Sequence, residues 1–409
     1  MTIAASRDED AAVRPADSQT RTPLAETIDA ITVESLREVG GVKWTAFPDA
    51  IGAFVAEMDF GIAPEISAAL HDAVDRGLTG YLPKAHMARV AEACAEWYRA
   101  RHGWQVRPAM IRPLPDVLTG LDAVIQHFST PGSPIILPTP AYMPFLTRPP
   151  VLGREIIQVP MARDGGRYVY DLDALDAAFS AGGNLLVLCN PHNPVGRVLE
   201  REEMTAIAEV VERHGGRVFS DEIHAHLVYD GHRHVPYASI SETTAQHTVT
   251  ATSASKAWNL PGLKAAQLIL SNPADVAAWN AVGHPYEDGT STLGVVAHTA
   301  AYTAGGQWLD DVIAYLDGNR RRFGDLLAER IPQIGYTPPE GTYLTLLDCR
   351  ELGLGDHPQR FFLEQAKVAM TDGSLCGEAA RGTARFNLAM PRPVLEEAVD
   401  RMATALERR

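Results

Sequence analysis

Apolar runs alternate with amphipathic segments through the middle of the chain. Four of these runs are short and unbroken, as buried parallel strands are: PIILP from Pro134, NLLVLC from Asn184, GRVFS from Gly216 and AAQLIL from Ala265. The segments between them show helical periodicity, for example over residues 116–129, 171–180 and 200–214. Strand and helix in this alternation predict an α/β fold, an open sheet with helices on both faces.

The order of elements changes beyond residue 305. A long helix is predicted at 308–330, short strands at 341–348 and 384–388, and a closing helix at 393–406. This is an α+β arrangement, which indicates a separate and smaller C-terminal domain.

Composition and charge narrow the classes of function. The 409 residues are 46% hydrophobic and 21% charged, as in an ordinary globular protein. A net charge of −15 argues against a nucleic-acid partner, because phosphate binding favours a basic face. No apolar run approaches the roughly 20 residues that span a bilayer, so no membrane association is expected. The N-terminus lacks an apolar signal core and mixes charges, which predicts a mobile arm over residues 1–25.

The four cysteines lie far apart and form no C-x-x-C pair. This spacing indicates neither a zinc site nor a disulfide framework, and no other metal site is predicted. Reduced thiols of this kind are typical of a cytoplasmic protein.

Polar residues follow three of the predicted strands. Asn193 lies in NPHNPVGR after NLLVLC, Asp221 begins DEIH after GRVFS, and Lys256 follows the β-branched run HTVTATS. Taken singly, each has an ordinary explanation: a turn, a helix cap and a solvated surface lysine. An α/β sheet, however, binds its ligands beyond the carboxyl ends of its strands, where these three side chains can converge.

Pyridoxal 5'-phosphate needs this set of groups. Its aldehyde needs an amine, its pyridinium nitrogen an acid, and its phenolic oxygen a hydrogen-bond donor. Its phosphate needs hydroxyls, cations and the N–H groups of a helix N-terminus. Ser253, Ser255 and Lys264 can supply the first two, and the turn PDVLTG at 115–120 can supply the third.

Four motifs in order make the chain resemble a known family: NPHNPVG at Asn190, SDEIH at Ser220, SASK ending at Lys256, and ARFNL at Ala384. From about Val42 onward the sequence is similar to fold-type I pyridoxal-phosphate enzymes, in the cystathionine β-lyase (C–S lyase) branch of the class I/II aminotransferase superfamily. The resemblance implies a mostly parallel sheet between helices plus a smaller α+β domain. It divides the chain into the arm at 1–25, a segment at 26–75 contributing to the small domain, a large PLP-binding domain at 76–305 and the small domain at 306–409.

The resemblance also implies a role for each matching residue around the cofactor ring. Lys256 would form the internal aldimine and later act as base on the substrate Cα. Asp221 would pair with the pyridine nitrogen and Asn193 with the phenolic oxygen. Tyr142 would stack on the ring, and His224 is similar to the histidine found at this position in the lyase branch.

Other matching residues would bind the phosphate and the substrate. Ser253 and Lys264 would hold the phosphate together with the N–H groups of Val117 and Leu118. Tyr81 would reach it from a neighbouring subunit and take part in catalysis, which implies a homodimer. Arg385 would bind the substrate α-carboxylate, beside Val55 and Ala56.

Three departures from the family pattern concern the substrate and the phosphate. Asp116 stands where the phosphate turn usually has glycine, and Phe54 stands where tryptophan is usual. The segment HPYEDGTSTLG at 284–294 lacks the expected asparagines. These changes leave the substrate open, and Asp116 places an acid beside the phosphate.

The resulting hypothesis is an enzyme that cleaves cystathionine or a cysteine S-conjugate to thiol, pyruvate and ammonia. A thiolate is a stable leaving group near neutral pH, which favours β-elimination. Transamination is the first alternative, and decarboxylative oxidation of an S-conjugate in specialised metabolism is the second. A purely non-enzymatic, protein-binding role is the third.

Overall fold

The computed structural model describes residues 22–409. The arm predicted at 1–25 therefore lies outside the described residues except for its end, where residues 23–25 begin a helix. Within the described part of the chain, no helix is both long and apolar enough to cross a bilayer.

The strands and helices follow one another along the whole described chain. The strands are β1 (Ile51–Gly52), β2 (Ile111–Leu114), β3 (Ile135–Thr139), β4 (Ile156–Pro160), β5 (Ala162–Asp164), β6 (Arg167–Val169), β7 (Leu185–Cys189), β8 (Arg217–Asp221), β9 (Thr248–Thr252), β10 (Ala266–Leu270), β11 (Leu344–Asp348), β12 (Val368–Ala369), β13 (Thr371–Asp372) and β14 (Thr383–Asn387). The α-helices are α1 (Pro23–Asp29), α2 (Val33–Val39), α3 (Val42–Thr45), α4 (Pro64–Asp75), α5 (Lys84–His102), α6 (Val117–His127), α7 (Met143–Val151), α8 (Leu172–Ser180), α9 (Arg201–Arg213), α10 (Glu242–His247), α11 (Pro273–Val282), α12 (His284–Glu287), α13 (Thr292–Ala304), α14 (Gly306–Arg330), α15 (Pro358–Phe361) and α16 (Arg392–Glu407).

A seven-stranded sheet forms the centre of the molecule, in the order β2-β10-β9-β8-β7-β3-β4. The strands from β9 to β4 in this order are parallel. The prediction of a parallel strand for AAQLIL is wrong, because β10 pairs antiparallel with both β9 and β2. Burial explains the error: every residue of β10 is buried, so its apolar run looks the same in either direction.

Helices cover both faces of this sheet, as predicted. Leu185 and Val187 of β7 pack into the apolar cluster that includes α6, whereas Leu186 and Leu188 pack with α8 and α9. Successive side chains of a strand point to opposite faces, so the unbroken apolar run of β7 serves two cores at once.

The C-terminal part has its own core and its own sheet. Strand β14 lies between β11 and β13, and both pairings are antiparallel. The N-terminal segment joins this part, because β1 pairs parallel with β12 and Trp44 packs in the same cluster as α16. The domain boundaries themselves stay a prediction.

A buried ion pair fixes the N-terminal segment where it passes from one core to the other. Lys43 Nζ lies 2.8 Å from Asp59 Oδ2 and donates to the carbonyl oxygens of Glu57 and Ala389. The Trp44 indole donates to the other oxygen of Asp59. Both charged side chains are buried, so each depends on the other for the stabilisation that water would give.

We expect Lys43→Met to destabilise the protein strongly. Methionine keeps the volume but leaves Asp59 buried without its cation, which costs about 3–5 kcal/mol of unfolding free energy. Denaturant titration measures this change, and Lys84→Met, at an exposed position, is the matched control with a change within about 0.5 kcal/mol. Equal unfolding free energies for the two variants would contradict the importance of the pair.

Candidate active site

A cavity of about 190 Å³ lies at the carboxyl ends of β7, β8 and β9. Parallel strands bring these ends to one edge of the sheet, and Cys189, Asp221 and Ala251 lie side by side in register. The cavity is lined by Ala56, Asp116, Val117, Leu118, Tyr142, Cys189, Asn193, Asp221, Ile223, His224, Lys256, Pro261 and Lys264.

The loop after β9 carries Lys256 into this cavity. Ser253 Oγ accepts from the Ser255 N–H and donates to the Ala265 carbonyl, which turns the chain at the strand end. The buried Trp258 anchors the far side of the loop through an indole hydrogen bond of 2.9 Å to the Gly305 carbonyl. The serine-rich sequence therefore forms a tight turn that holds the lysine in place.

The Lys256 side chain is partly buried, and its amine has a lowered pKa. Its Nζ donates to the Ala56 carbonyl at 3.0 Å, and no carboxylate pairs with it directly within the described chain. Burial, with a smaller contribution from the Arg385 charge, lowers the pKa of Lys256 to about 8. A lysine of this kind is deprotonated often enough near neutral pH to act as a nucleophile or a base.

Asp221 ends β8 and is a buried carboxylate without a direct cationic partner in the described structure. One of its oxygens accepts from the Ile223 N–H at 3.0 Å. Burial raises the pKa of Asp221 to about 7, although Lys256 nearby acts in the opposite direction. A cation at this position would relieve the cost of burying the charge.

Asn193 and Arg385 meet on the other side of the cavity. The Asn193 side-chain oxygen accepts from Arg385 Nη1 at 3.2 Å. Its amide nitrogen makes no hydrogen bond within residues 22–409, so it can donate to a ligand. Arg385 is buried on β14 and carries the positive charge that faces Lys256 and Tyr142.

His224 and Tyr142 complete the walls beside the carboxylate. Burial, together with the charges of Lys256 and Arg385, lowers the pKa of His224 to about 3, so the imidazole is neutral. Its Nδ1 is buried without a hydrogen-bond partner in the described part of the chain. A buried polar atom of this kind indicates a missing partner, such as a bound ligand.

The N-terminus of α6 forms the end of the cavity near Lys264. The N–H groups of Val117 and Leu118, in the first turn, have no acceptor within the helix and suit an anion. Asp116 caps the helix by accepting from the Thr119 N–H, and its second oxygen lies 3.2 Å from Lys264 Nζ. Asp116 therefore forms an ion pair with Lys264, the cation that was predicted to bind the phosphate.

Four residues with a predicted role are not among those that line the cavity, and Arg385, which contacts Asn193, is one of them. The Ser253 hydroxyl is hydrogen-bonded within the turn described above, and the Val55 carbonyl accepts from the Asn387 side chain. Tyr81 is 97% exposed and is not among the residues that line the cavity of its own chain. The roles predicted for Ser253, Val55 and Tyr81 stay predictions.

Sequence reasoning missed residues that surround the cavity. Cys189 and Ile223 line it, and Tyr343 donates from its hydroxyl to the Ala56 carbonyl at 2.9 Å. Cys189 ends β7 just before NPHNPVG, and Ile223 lies within SDEIH just after β8, so their positions near strand ends were a usable signal. Tyr343 comes from the loop just before β11, and only tertiary packing brings it there.

A larger cleft of about 880 Å³ lies elsewhere, around Trp97, His102 and His226. It contains neither the lysine nor the strand-end carboxylate, so its size alone does not make it the candidate site.

Known proteins match both the sequence and this geometry. Residues 54–402 match the family model for aminotransferase class I and II. The cystathionine β-lyase of Corynebacterium glutamicum is 38% identical, over 91% of this chain and 99% of that protein. The chain belongs to this family, in the branch that includes the cystathionine β-lyases.

Solved structures agree with this assignment. A candidate PLP-dependent β-cystathionase from Corynebacterium diphtheriae has a TM-score of 0.88 and 41% identity, covering 92% of this chain and 98% of the other. Cystalysin from Treponema denticola, which contains pyridoxal 5'-phosphate, has a TM-score of 0.86 and 29% identity, covering 92% and 98%. The chain is an enzyme of the fold predicted for it, and its cofactor is pyridoxal 5'-phosphate.

The cavity of this enzyme fits that cofactor chemically. The buried Asp221 lacks a direct cation, which a pyridinium nitrogen supplies, and Lys256 is an amine of lowered pKa. The free N–H groups at the start of α6 suit a phosphate.

We expect Asp221→Asn to change the pH dependence of apoenzyme stability. The pKa of Asp221 rises on folding from 3.8 to about 7, so the folded protein keeps a proton that the unfolded chain loses between these values. Stability therefore falls as pH rises through this window, and the cost, on the order of 4 kcal/mol, is complete above it.

Thermal unfolding of the cofactor-free protein at about pH 5 and about pH 8 measures this effect. The Asn variant should exceed the wild type most clearly at the higher pH. Asp75→Asn, at an exposed position, is the matched control and should follow the wild type. A wild type that gains stability relative to Asp221→Asn on going to higher pH would contradict the buried, uncompensated carboxylate.

Proposed function

We propose that the enzyme is a C–S β-lyase that cleaves cystathionine or a cysteine S-conjugate into a thiol, pyruvate and ammonia. One observation carries the proposal: the Lys256 amine, whose pKa is lowered, shares a cavity with the buried carboxylate of Asp221 and lies near the charge of Arg385. The relatives named cystathionine β-lyase support the reaction class, and the S-conjugate is the finer step of the proposal.

Each group has a task in that reaction. Pyridoxal 5'-phosphate, when bound, draws electrons from the substrate Cα. Asp221 would hold its ring nitrogen, Asn193 its phenolic oxygen, and Lys264 with the first turn of α6 its phosphate. Lys256 would bind the cofactor covalently, then take the Cα proton after the substrate amine displaces it. Arg385 would orient the substrate through its α-carboxylate.

Loss of the Cα proton leads to cleavage when the β-carbon carries sulfur. The C–S bond breaks with its electron pair leaving on sulfur, and the thiolate takes up a proton. The remaining three-carbon fragment reacts with water to give pyruvate and ammonia. The low pKa of a thiol relative to an alcohol makes sulfur the better leaving group at neutral pH.

The enzyme would work as a homodimer. Tyr81 is highly exposed although it is large and aromatic, and it lies beside Gly80 and Leu82 in a surface cleft with Thr290 and Thr292. An exposed aromatic residue of this kind suits a subunit interface. In that arrangement Tyr81 would reach the phosphate of a neighbouring subunit.

We expect purified holoenzyme to release pyruvate and thiol in equal, catalytic amounts from cystathionine or S-alkyl cysteines. Lys256→Ala should lose the covalent attachment of the cofactor, visible in its absorption spectrum. It should also lose turnover by roughly 10²–10⁴-fold or more, since a general base contributes this much. Release of neither product from any thioether, with the cofactor bound, would overturn the lyase proposal.

That negative result would favour one of the other reactions. A requirement for a 2-oxo acid, with accumulation of the amine form of the cofactor, would indicate transamination. Release of carbon dioxide with consumption of oxygen would indicate decarboxylative oxidation. A protein that binds no cofactor would point to a non-enzymatic role.

We expect Arg385→Ala to raise KM for amino-acid substrates roughly 10- to 100-fold, because hydrogen bonds to a charged group are lost. The effect on kcat should be smaller, since the carboxylate is bound in both the ground state and the transition state. Arg360→Ala, at an exposed position of α15, is the matched control and should leave KM unchanged. An unchanged KM for Arg385→Ala would show that the carboxylate binds elsewhere.

A further inference from the structure

The segment from Phe54 to Met58 is held by an unusual run of hydrogen bonds. Each of its five consecutive carbonyl oxygens accepts from a side chain of another element. The donors are Arg385 and Thr371 for Phe54, Asn387 for Val55, Lys256 and Tyr343 for Ala56, Asn387 and Lys43 for Glu57, and Asn259 for Met58. We call residues 54–58 the carbonyl strap.

The strap joins the two ends of the substrate site. Arg385, the proposed carboxylate ligand, donates to its first carbonyl at 2.8 Å. Lys256, the proposed base, donates to its third carbonyl at 3.0 Å. Two residues of backbone therefore separate the group that orients the substrate from the group that takes its proton.

Thr371 closes a three-membered network at the Arg385 end of the strap. Its hydroxyl donates to the Phe54 carbonyl at 2.8 Å and accepts from Arg385 Nη2 at 3.3 Å. Arg385 Nη2 donates to the same carbonyl. Thr371 and Arg385 are direct cross-strand partners on β13 and β14, so their side chains lie on the same face.

The network restricts a guanidinium that otherwise has few fixed contacts. The remaining partners of Arg385 are the Asn193 oxygen and, at 3.7 Å, the Met143 sulfur, while its Nε is buried without a partner in the described structure. No carboxylate pairs with it there. The hydroxyl of Thr371 is therefore the neutral group that fixes both the arginine and the carbonyl beside it.

We propose that Thr371 is a positioning residue for recognition of the substrate α-carboxylate. It orients Arg385 and holds the strap in register, without touching the reacting atoms. The inference rests on the proposed function, since it takes Arg385 as the carboxylate ligand.

The test compares two probes that differ only in the carboxylate. L-Alanine has no β-leaving group, and ethylamine is the same molecule without its carboxylate. Binding of each to holoenzyme is followed through the absorption change of the cofactor. Thr371→Val should raise the apparent Kd for L-alanine roughly tenfold, since one hydrogen bond to a charged group is lost, and should leave ethylamine within about twofold.

Two further variants separate positioning from general loosening of the fold. Thr371→Ser keeps the hydroxyl and should restore the Kd for L-alanine. Thr345→Val makes the same substitution at a buried threonine of β11, in the same sheet, whose hydroxyl has no partner in the described structure. It should bind both probes as the wild type does. Thr371→Ala replaces the valine variant if the latter does not fold, with the same expectation.

The same variants should affect KM and kcat differently. With a thioether substrate, Thr371→Val should raise KM and change kcat little. An unchanged Kd for L-alanine would overturn the proposal. So would an equal loss for both probes, a loss in Thr345→Val, or a failure of serine to restore binding.

The proposed function fails in a different way. If wild-type holoenzyme shows no absorption change with any amino acid, then the reaction class itself is wrong, and the role of Thr371 falls with it. If the wild type responds and the threonine variants do not differ from it, only the positioning role is overturned.

Discussion

Two ionisable groups of opposite sign line one cavity without forming an ion pair. Asp221 and Lys256 influence each other's pKa, but the lysine donates to a backbone carbonyl and the carboxylate accepts a backbone N–H. Burial therefore drives the two pKa values towards neutrality from opposite sides. Pyridoxal 5'-phosphate has a partner for each of these groups: its ring nitrogen would pair with Asp221, and its aldehyde would react with Lys256.

The carbonyl strap is how the rest of the molecule supports this cavity. Its hydrogen bonds come from β13, β14, the loop before β11, the lysine loop and α3, so the N-terminal segment, the central sheet and the C-terminal part all meet at residues 54–58. The buried pair of Lys43 and Asp59 fixes its far end. A backbone held at each carbonyl can present Ala56 to Lys256 with little freedom, which is the condition for a well-placed base.

At the phosphate end of the site, by contrast, an ionised acid is already paired with a lysine. Asp116 is a good N-cap for α6, and its hydrogen bonds to Thr119 together with Lys264 lower its pKa although burial opposes this. An ionised acid there competes with a phosphate for Lys264 and for the field of the helix N-terminus. The first-turn N–H groups of Val117 and Leu118 remain available, so the backbone, more than side chains, would carry the binding of the phosphate.

The residues at the strand ends could be assigned from the amino-acid sequence. Asn193, Asp221 and Lys256 each follow an apolar run, and a parallel sheet must bring such positions to one edge, so their convergence could be predicted. The helices at 117–127, 201–213 and 306–330 also follow their periodicity closely. The motifs identified the family because each is a short stretch of sequence that contains one of the residues for the cofactor or the substrate.

The arrangement of the segments between those motifs depends on packing that the sequence pattern does not show. The direction of β10 could not be predicted, because a fully buried strand has the same apolar pattern in a parallel and an antiparallel pairing. Strands β2 and β4 were missed, since Arg112 and Pro113 in one and Gln158 in the other interrupt the apolar pattern that marks a buried strand. Thr371 and Tyr343 carry no local signal, because their partners are backbone carbonyls more than 280 residues away along the chain. Hydrogen bonds to backbone depend on where a segment lies and not on which side chains it bears, and that position is set by packing alone.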